Sequence, residues 1–185
     1  MSFVIFQNGK VVSNCNIEQH IALYTSSKQP EHLPSVAHNS KARGYIDNKD
    51  STDNRRRLRA SHVMSTSVVT CTPQTSIEQA ITILNNQDFS HLVVVNDEQK
   101  PLAVVHYNQL IKDKNLAGST ISCLLQEDFS AVSSSALVRD IATLFIKFKN
   151  TALAVVDEKY LLVGIISQND LMGLLVSSPH QQITV

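Results

Sequence analysis

Apolar and polar positions along this chain follow a pattern that occurs twice. Moved by 61 positions, Leu92-Val93-Val94-Val95 falls on Leu153-Ala154-Val155-Val156. By the same shift Leu102-Ala103-Val104-Val105-His106-Tyr107-Asn108-Gln109-Leu110 falls on Val163-Gly164-Ile165-Ile166-Ser167-Gln168-Asn169-Asp170-Leu171. The apolar frame is kept while His106 and Gln109 become Ser167 and Asp170. A fixed internal period decides the architecture first, and it makes most of the chain two copies of one unit.

Each copy predicts the same order of elements. In the first, 68–71 reads as a strand ended by Pro73, and Thr75-Ser76-Ile77-Glu78 has the spacing of a capping box at a helix start. The apolar stripe of that helix, Ile77, Ala80, Ile81 and Leu84, returns as Val138, Ile141, Ala142 and Phe145. Strands over 92–95 and 102–105 flank a turn short enough to make them an antiparallel pair. A closing helix carries Leu110 and Ile111, matched by Leu171 and Met172. The unit is β-α-β-β-α, an α/β fold whose strands are apolar almost without a break, the pattern of a sheet covered on both faces. One unit cannot cover both faces. The copies are therefore expected to pack on each other about a pseudo-twofold axis, with two related clefts where they meet.

Residues 1–60 break the pattern. Two β-rich runs surround Asn8-Gly9, the strongest short hairpin signal, since both turn positions take positive φ. Ile17, Ile21 and Tyr24 suit one face of a short helix, and 25–53 has the Ser/Asn/Lys/Pro-rich composition of a linker or irregular arm. The expected division is an N-terminal hairpin, short helix and polar linker over 1–60, repeat 1 over 61–118, repeat 2 over 119–178 and a tail over 179–185.

Composition then narrows the function classes. With 185 residues, 43% of them apolar, the chain can bury a core. Lys plus Arg and Asp plus Glu both number 16, so net charge gives no general pull toward nucleic acid or an anionic membrane. Nucleic-acid binding is not expected, and Arg55-Arg56-Arg57-Leu58-Arg59 reads as a solvated linker. The longest apolar runs, 161–166 and 3–6, fall far short of the roughly 20 residues of a membrane helix. The N-terminal residues lack the basic and apolar segments of a secretory signal, and a cytoplasmic location is expected. Cys15, Cys71 and Cys123 read as reduced thiols, Cys71 in the core, and not as a disulfide framework or zinc site. The seven His residues show no metal-ligand spacing and no catalytic constellation stands out, so neither a metal site nor an enzyme is expected.

The chemistry lies where the copies differ. In the second, the last strand passes through Gly164 into Ser167-Gln168-Asn169-Asp170, where the closing helix begins. Unpaired N–H groups at a helix start attract negative charge, and a Ser there adds a hydroxyl. A carboxylate three residues on can accept hydrogen bonds from two vicinal hydroxyls, as a ribose presents them. Gly164, without a Cβ, would let a flat ligand lie against the strand. The same spacing is also that of a plain helix cap, with Ser167 at N-cap and Asp170 at N3, and it leaves both readings open. The first copy has Ala103, His106 and Gln109 at the equivalent positions. Hydrogen bonds to a charged group contribute about 1.5–3 kcal/mol, against about 1 kcal/mol for neutral ones, so one competent site per chain is expected.

The gapless pair of units, with Val63-Met64 leading into the first strand, Thr72-Pro73 before the first helix and Gly164-Ile165-Ile166-Ser167-Gln168-Asn169-Asp170 closing the second copy, resembles a tandem cystathionine-β-synthase (CBS) domain pair, the Bateman module, over residues 61–178. The resemblance implies a regulatory module that senses an adenosyl compound, AMP, ADP, ATP or S-adenosylmethionine, in the cleft between repeats, as a regulatory ligand and not a catalytic cofactor. It assigns Asp170 to the ribose hydroxyls, Ser167 to the neighbourhood of the phosphate and Gly164 to the floor. It sets Val132, Ser133, Ala152 and Ala154 beside the adenine, although ordinary strand packing explains them equally well. His106, Gln109 and Lys149 are weaker candidates for ligand contact. Lys147 and Lys149 also suit the C-terminal dipole of the second core helix without any ligand. A homodimer is implied too, with Leu171, Met172, Leu174 and Leu175 as apolar surface, and an effector protein that the sequence does not identify. The competing expectation is a ligand-free protein-interaction module.

Overall fold

Strands of Val, Ile and Leu with no polar face need cover on two sides, and here two sheets stacked between helices provide it. The structure is a computed structural model and describes residues 3–7, 10–15, 57–112 and 118–176. In chain order the elements are β1 (Phe3–Gln7), β2 (Lys10–Cys15), α1 (Ala60–Val63), β3 (Thr70–Cys71), α2 (Ile77–Gln87), β4 (His91–Val95), β5 (Pro101–His106) and α3 (Tyr107–Lys112). After a 3-10 turn at Ile121–Leu124 come β6 (Asp128–Ser133), α4 (Val138–Phe148), β7 (Ala152–Val156), β8 (Leu162–Ser167) and α5 (Gln168–Val176). Repeat 1 forms a β3-β4-β5 sheet, and repeat 2 the β6-β7-β8 part of a five-stranded sheet. In both, the first pair is parallel and the second antiparallel.

Alternate residues of each central strand serve different cores. Leu92 and Val94 pack with the α2 residues Ile77, Ala80 and Leu84, and Leu153 and Val155 pack with the α4 residues Ile141, Leu144 and Phe145. The residues between them, Val93, Val95, Ala154 and Val156, meet across the two sheets. These eight strand residues are at most 3% exposed, and each Val or Leu buried in this way contributes about 1.5–3 kcal/mol. The duplication extends to the turns. Asn96 Oδ1 accepts the N–H groups of Glu98 and Lys100, and Asp157 Oδ1 accepts those of Lys159 and Leu161. Gln99 and Tyr160, one residue before the end of each turn, both take positive φ.

Three expectations change. The strand expected over 68–71 pairs only at Thr70–Cys71. The capping box of α2 is Ser76 with Gln79, each side chain accepting the other's backbone N–H at 3.2 Å, and not Thr75 with Glu78. Thr75 instead accepts the Thr72 N–H through its hydroxyl, and its carbonyl takes the Ile121 N–H at 2.9 Å, which delays the helix by one residue. Third, the N-terminal hairpin is part of repeat 2's sheet. The whole of β1 runs antiparallel along β6, from Phe3 opposite Val132 to Gln7 opposite Asp128. Phe3 enters the helix-side core while Val4 and Phe6 enter the inter-sheet core. The Asn8-Gly9 turn, the helix expected near 17–24 and the polar arm lie outside the described residues.

The segments leading into each repeat dock on the other one. Ala60 and Ser61 donate their N–H groups to the carbonyls of Ala136 and Ser134 at 2.8 and 3.0 Å, and Ala60 is buried in repeat 2's core. Sixty-one residues later, Ile121 is buried in repeat 1's core. This crossing carries the chain past β8, where Ser65 exchanges both backbone hydrogen bonds with Ile165 at 2.9 and 3.0 Å. Cys71 is buried as expected, and burial pushes its thiol up to about 11. Among the described residues, no helix is long and apolar enough to cross a membrane.

Candidate functional site

The crossing brings 65–69 and the α2–β4 loop of repeat 1 against the β8–α5 corner of repeat 2. Between them lies a cleft of about 210 Å3. One wall is Ser65, Ser67, Val68 and Val69 with Asp88, Phe89, Ser90 and His91, and the other is Ile165, Ser167, Asn169 and Asp170.

Ser167 and Asp170 form a reciprocal capping box on α5. The Asp170 N–H donates to Ser167 Oγ at 3.3 Å, and Asp170 Oδ2 accepts the Ser167 N–H at 2.6 Å and the Ser167 hydroxyl at 2.8 Å. The cap is therefore formed, and it does not exhaust the carboxylate. Two carboxylate oxygens offer about four lone-pair positions, and among the described residues both bonds fall on Oδ2. Oδ1 retains the capacity for two further donors, the number that vicinal hydroxyls supply.

The first copy repeats the corner with neutral groups. Gln109 Oε1 accepts the His106 N–H at 2.9 Å, and His106 Nδ1 accepts the Asn108 N–H at 3.0 Å, which puts the ring proton on Nε2. His106 packs edge-on against His91 with ring centroids 4.7 Å apart. His91 Nε2 lies 3.0 Å from Thr151 Oγ1, so the pair of imidazoles sits on the seam between the repeats. Burial, and secondly the neighbouring His106, pull His91 down to about 4, against a smaller upward pull from Asp170. At neutral pH its ring is uncharged.

Several sequence-predicted residues lie elsewhere. Gly164 is buried, and a Cβ there would come within 2.7 Å of Met64 Sδ and 3.0 Å of the Ser65 carbonyl. The missing side chain makes room for the crossing segment, not for a ligand floor. Val132 and Ala154 are 0% exposed and occupy the helix-side and inter-sheet cores respectively. Ser133 bonds Ser135 within the turn before α4, and Ala152 faces Ser167 across the strands without lining the cleft. The pairing of β6 with β1 and β7 occupies the backbone of Val132. The segment that faces Asp170 across the cleft, 65–69, comes from the other repeat. His106 stands behind His91, Gln109 caps α3, and Lys149 is exposed at the end of α4, where Asp88 stands in repeat 1. Sequence reasoning missed Ser65, Ser67, Asp88, Ser90 and His91, because only the crossing joins them to Asp170. The one signal was Ser65-Thr66-Ser67, a polar break between Val63-Met64 and Val68-Val69.

Residues 60–114 and 121–177 match the CBS domain family model. Among solved structures, the CBS domain pair of protein MJ0100, in complex with 5-methylthioadenosine and S-adenosyl-L-methionine, aligns with a TM-score of 0.60 at 21% identity over 64% of this chain and 96% of that one. CBSX2 in complex with AMP gives 0.57 at 22% identity over 64% and 96%. The cytosolic domain of the Mg2+ channel MgtE in complex with ATP gives 0.55 at 21% over 63% and 48%. The choline transport ATP-binding protein OpuBA of Bacillus subtilis is 28% identical over 120 residues, which is 65% of this chain; the chain spans 31% of that protein's length. With both repeats matched and the fold shared, the chain belongs to the CBS domain family, carrying two CBS domains in tandem.

Proposed function

We propose that this chain is a regulatory module that binds an adenosyl compound in the cleft between its repeats, with Asp170 holding the ribose hydroxyls. The observation that carries the reading is the corner itself: a half-buried carboxylate that caps its helix with one oxygen and keeps the other, at a junction built by both repeats. Family members of the same fold whose complexes hold AMP, ATP or S-adenosyl-L-methionine support the ligand class. Regulation follows from the position of the cleft. A ligand touching 65–69 and 88–91 on one side and 165–170 on the other favours whichever packing of the repeats lets it touch both, and shifts the population by that difference alone.

Further parts of the reading are a cytoplasmic location, an effector protein that receives the change, and a homodimer, which the 79% exposed Ile146 of α4 and 60% exposed Met172 of α5 favour. Mass spectrometry of small molecules released from protein purified without added nucleotide tests the proposal. A bound adenosyl compound is expected. Thermal unfolding complements it, since a ligand at 100 times its dissociation constant adds about 2.7 kcal/mol. An empty protein whose unfolding no adenosyl compound shifts would refute the reading and leave the ligand-free interaction module.

A further inference from the structure

We infer that the cleft selects adenosyl compounds whose 5′ end is uncharged or cationic, a thioether or a sulfonium, over those that carry phosphate. The inference rests on the adenosyl reading above and concerns charge. Asp88 and Asp170 line the cleft, and none of the described residues around it is Lys or Arg. A phosphate is held by charge-assisted donors, and the donors of Ser167, Gln168 and Asp170 at this corner are already engaged. The Ser167 N–H and its only hydroxyl proton both point to Asp170 Oδ2, the Asp170 N–H points to Ser167 Oγ, and the Gln168 N–H donates to the Thr151 carbonyl at 3.1 Å. The start of α5 thus holds its own anion. His91, kept neutral by burial and by His106, brings no cation at neutral pH.

The opposite corner makes the asymmetry plain. Asp88 and Lys149 are equivalent under the 61-residue shift and share the left-handed conformation, with φ of 55 and 54. Gln109 stands for Asp170. The corner with the carboxylate that suits ribose is therefore also the one with the second negative charge, and the 61-residue shift matches the opposite corner to neutral Gln109 of repeat 1 and cationic Lys149 of repeat 2.

Isothermal titration with 5′-methylthioadenosine, S-adenosylmethionine, AMP and ATP, with a chelator present, tests this. The thioether and sulfonium compounds are expected to bind at least tenfold tighter than AMP or ATP. Raising salt from about 50 to about 500 mM should weaken S-adenosylmethionine binding by screening attraction. Asp88→Lys, tolerated because Lys149 already holds that conformation, should narrow or reverse the gap between AMP and 5′-methylthioadenosine. AMP or ATP binding as tightly as the thioether to the unaltered chain would overturn the charge inference while leaving the adenosyl reading standing. If none of the four binds, the adenosyl reading falls and this inference falls with it.

Discussion

Asp170→Gln separates the two roles of the corner, because the chain itself shows what Gln does there. In repeat 1 Gln109 accepts the His106 N–H at 2.9 Å, so a glutamine at the same place in α5 should still accept the Ser167 N–H. Loss of an N-cap partner costs about 0.5–2 kcal/mol. Asp170→Gln should retain most of this, and Asp170→Ala should lose it. Ligand binding responds differently. Two hydrogen bonds from ribose hydroxyls to a carboxylate contribute about 1.5–3 kcal/mol each, and to a neutral amide about 1 kcal/mol each. The substitution should therefore weaken binding by about 1–4 kcal/mol, from about fivefold to several hundredfold. Urea unfolding reads the cap and isothermal titration reads the ligand. Wild-type affinity in Asp170→Gln, whatever its stability, would refute the assignment of Asp170 to the ribose and reduce it to a helix cap.

Other substitutions test the fold around the site. Between pH about 4 and 6.5 the unfolded chain holds a proton on His91 that the folded chain does not. Stability should therefore rise with pH across that window and be lost on acidification, by about 1–2 kcal/mol after discounting for partial exposure. Denaturant unfolding at both ends of the window should show a flatter dependence in His91→Gln, and equal slopes would refute it. Gly164→Ala pushes a Cβ toward Met64 and the Ser65 backbone, and a loss of about 1–3 kcal/mol is expected; unchanged stability would mean the crossing segment yields. Phe6→Ala empties a site between the sheets that is 1% exposed, and about 3–5 kcal/mol should be lost in one cooperative transition. A loss below about 0.5 kcal/mol would make the hairpin a surface appendage.

What the sequence revealed was whatever repeats locally. The central strands of repeat 1 and the stripe of its helix were legible because apolar periodicity follows from secondary structure and burial, as Val93 and Ala80 illustrate, both 0% exposed. The Ser167–Asp170 pairing was legible because a capping box is a contact between neighbours in sequence. The far wall of the cleft was not. Ser67 and His91 reach Asp170 only because 60–65 crosses onto repeat 2, and that crossing depends on Ala60, a small residue with no distinctive pattern, filling repeat 2's core. Gly164 misled for a related reason. A glycine in a strand marks close approach of something, and here the chain's own Met64 approaches.

The hairpin also bears on why a single competent site is expected in a protein built of two like halves. β3 pairs over two residues only, so 66–68 carry no strand partner among the described residues, and Ser67 and Val68 of that stretch line the Asp170 cleft. In repeat 2 the equivalent 127–129 segment runs into β6, where β1 pairs with Asp128 and Phe129. Backbone groups that could recognise a flat base edge are thus open on the side with the carboxylate and engaged on the side with Gln109. Both differences favour the same cleft, though they arise from unrelated parts of the chain, one from a side chain and one from an N-terminal strand outside the repeats. Duplication preserves Val93, Val95, Ala154 and Val156 because both halves share that inter-sheet core. The corners share no such core, so their polar residues can diverge without loss of packing.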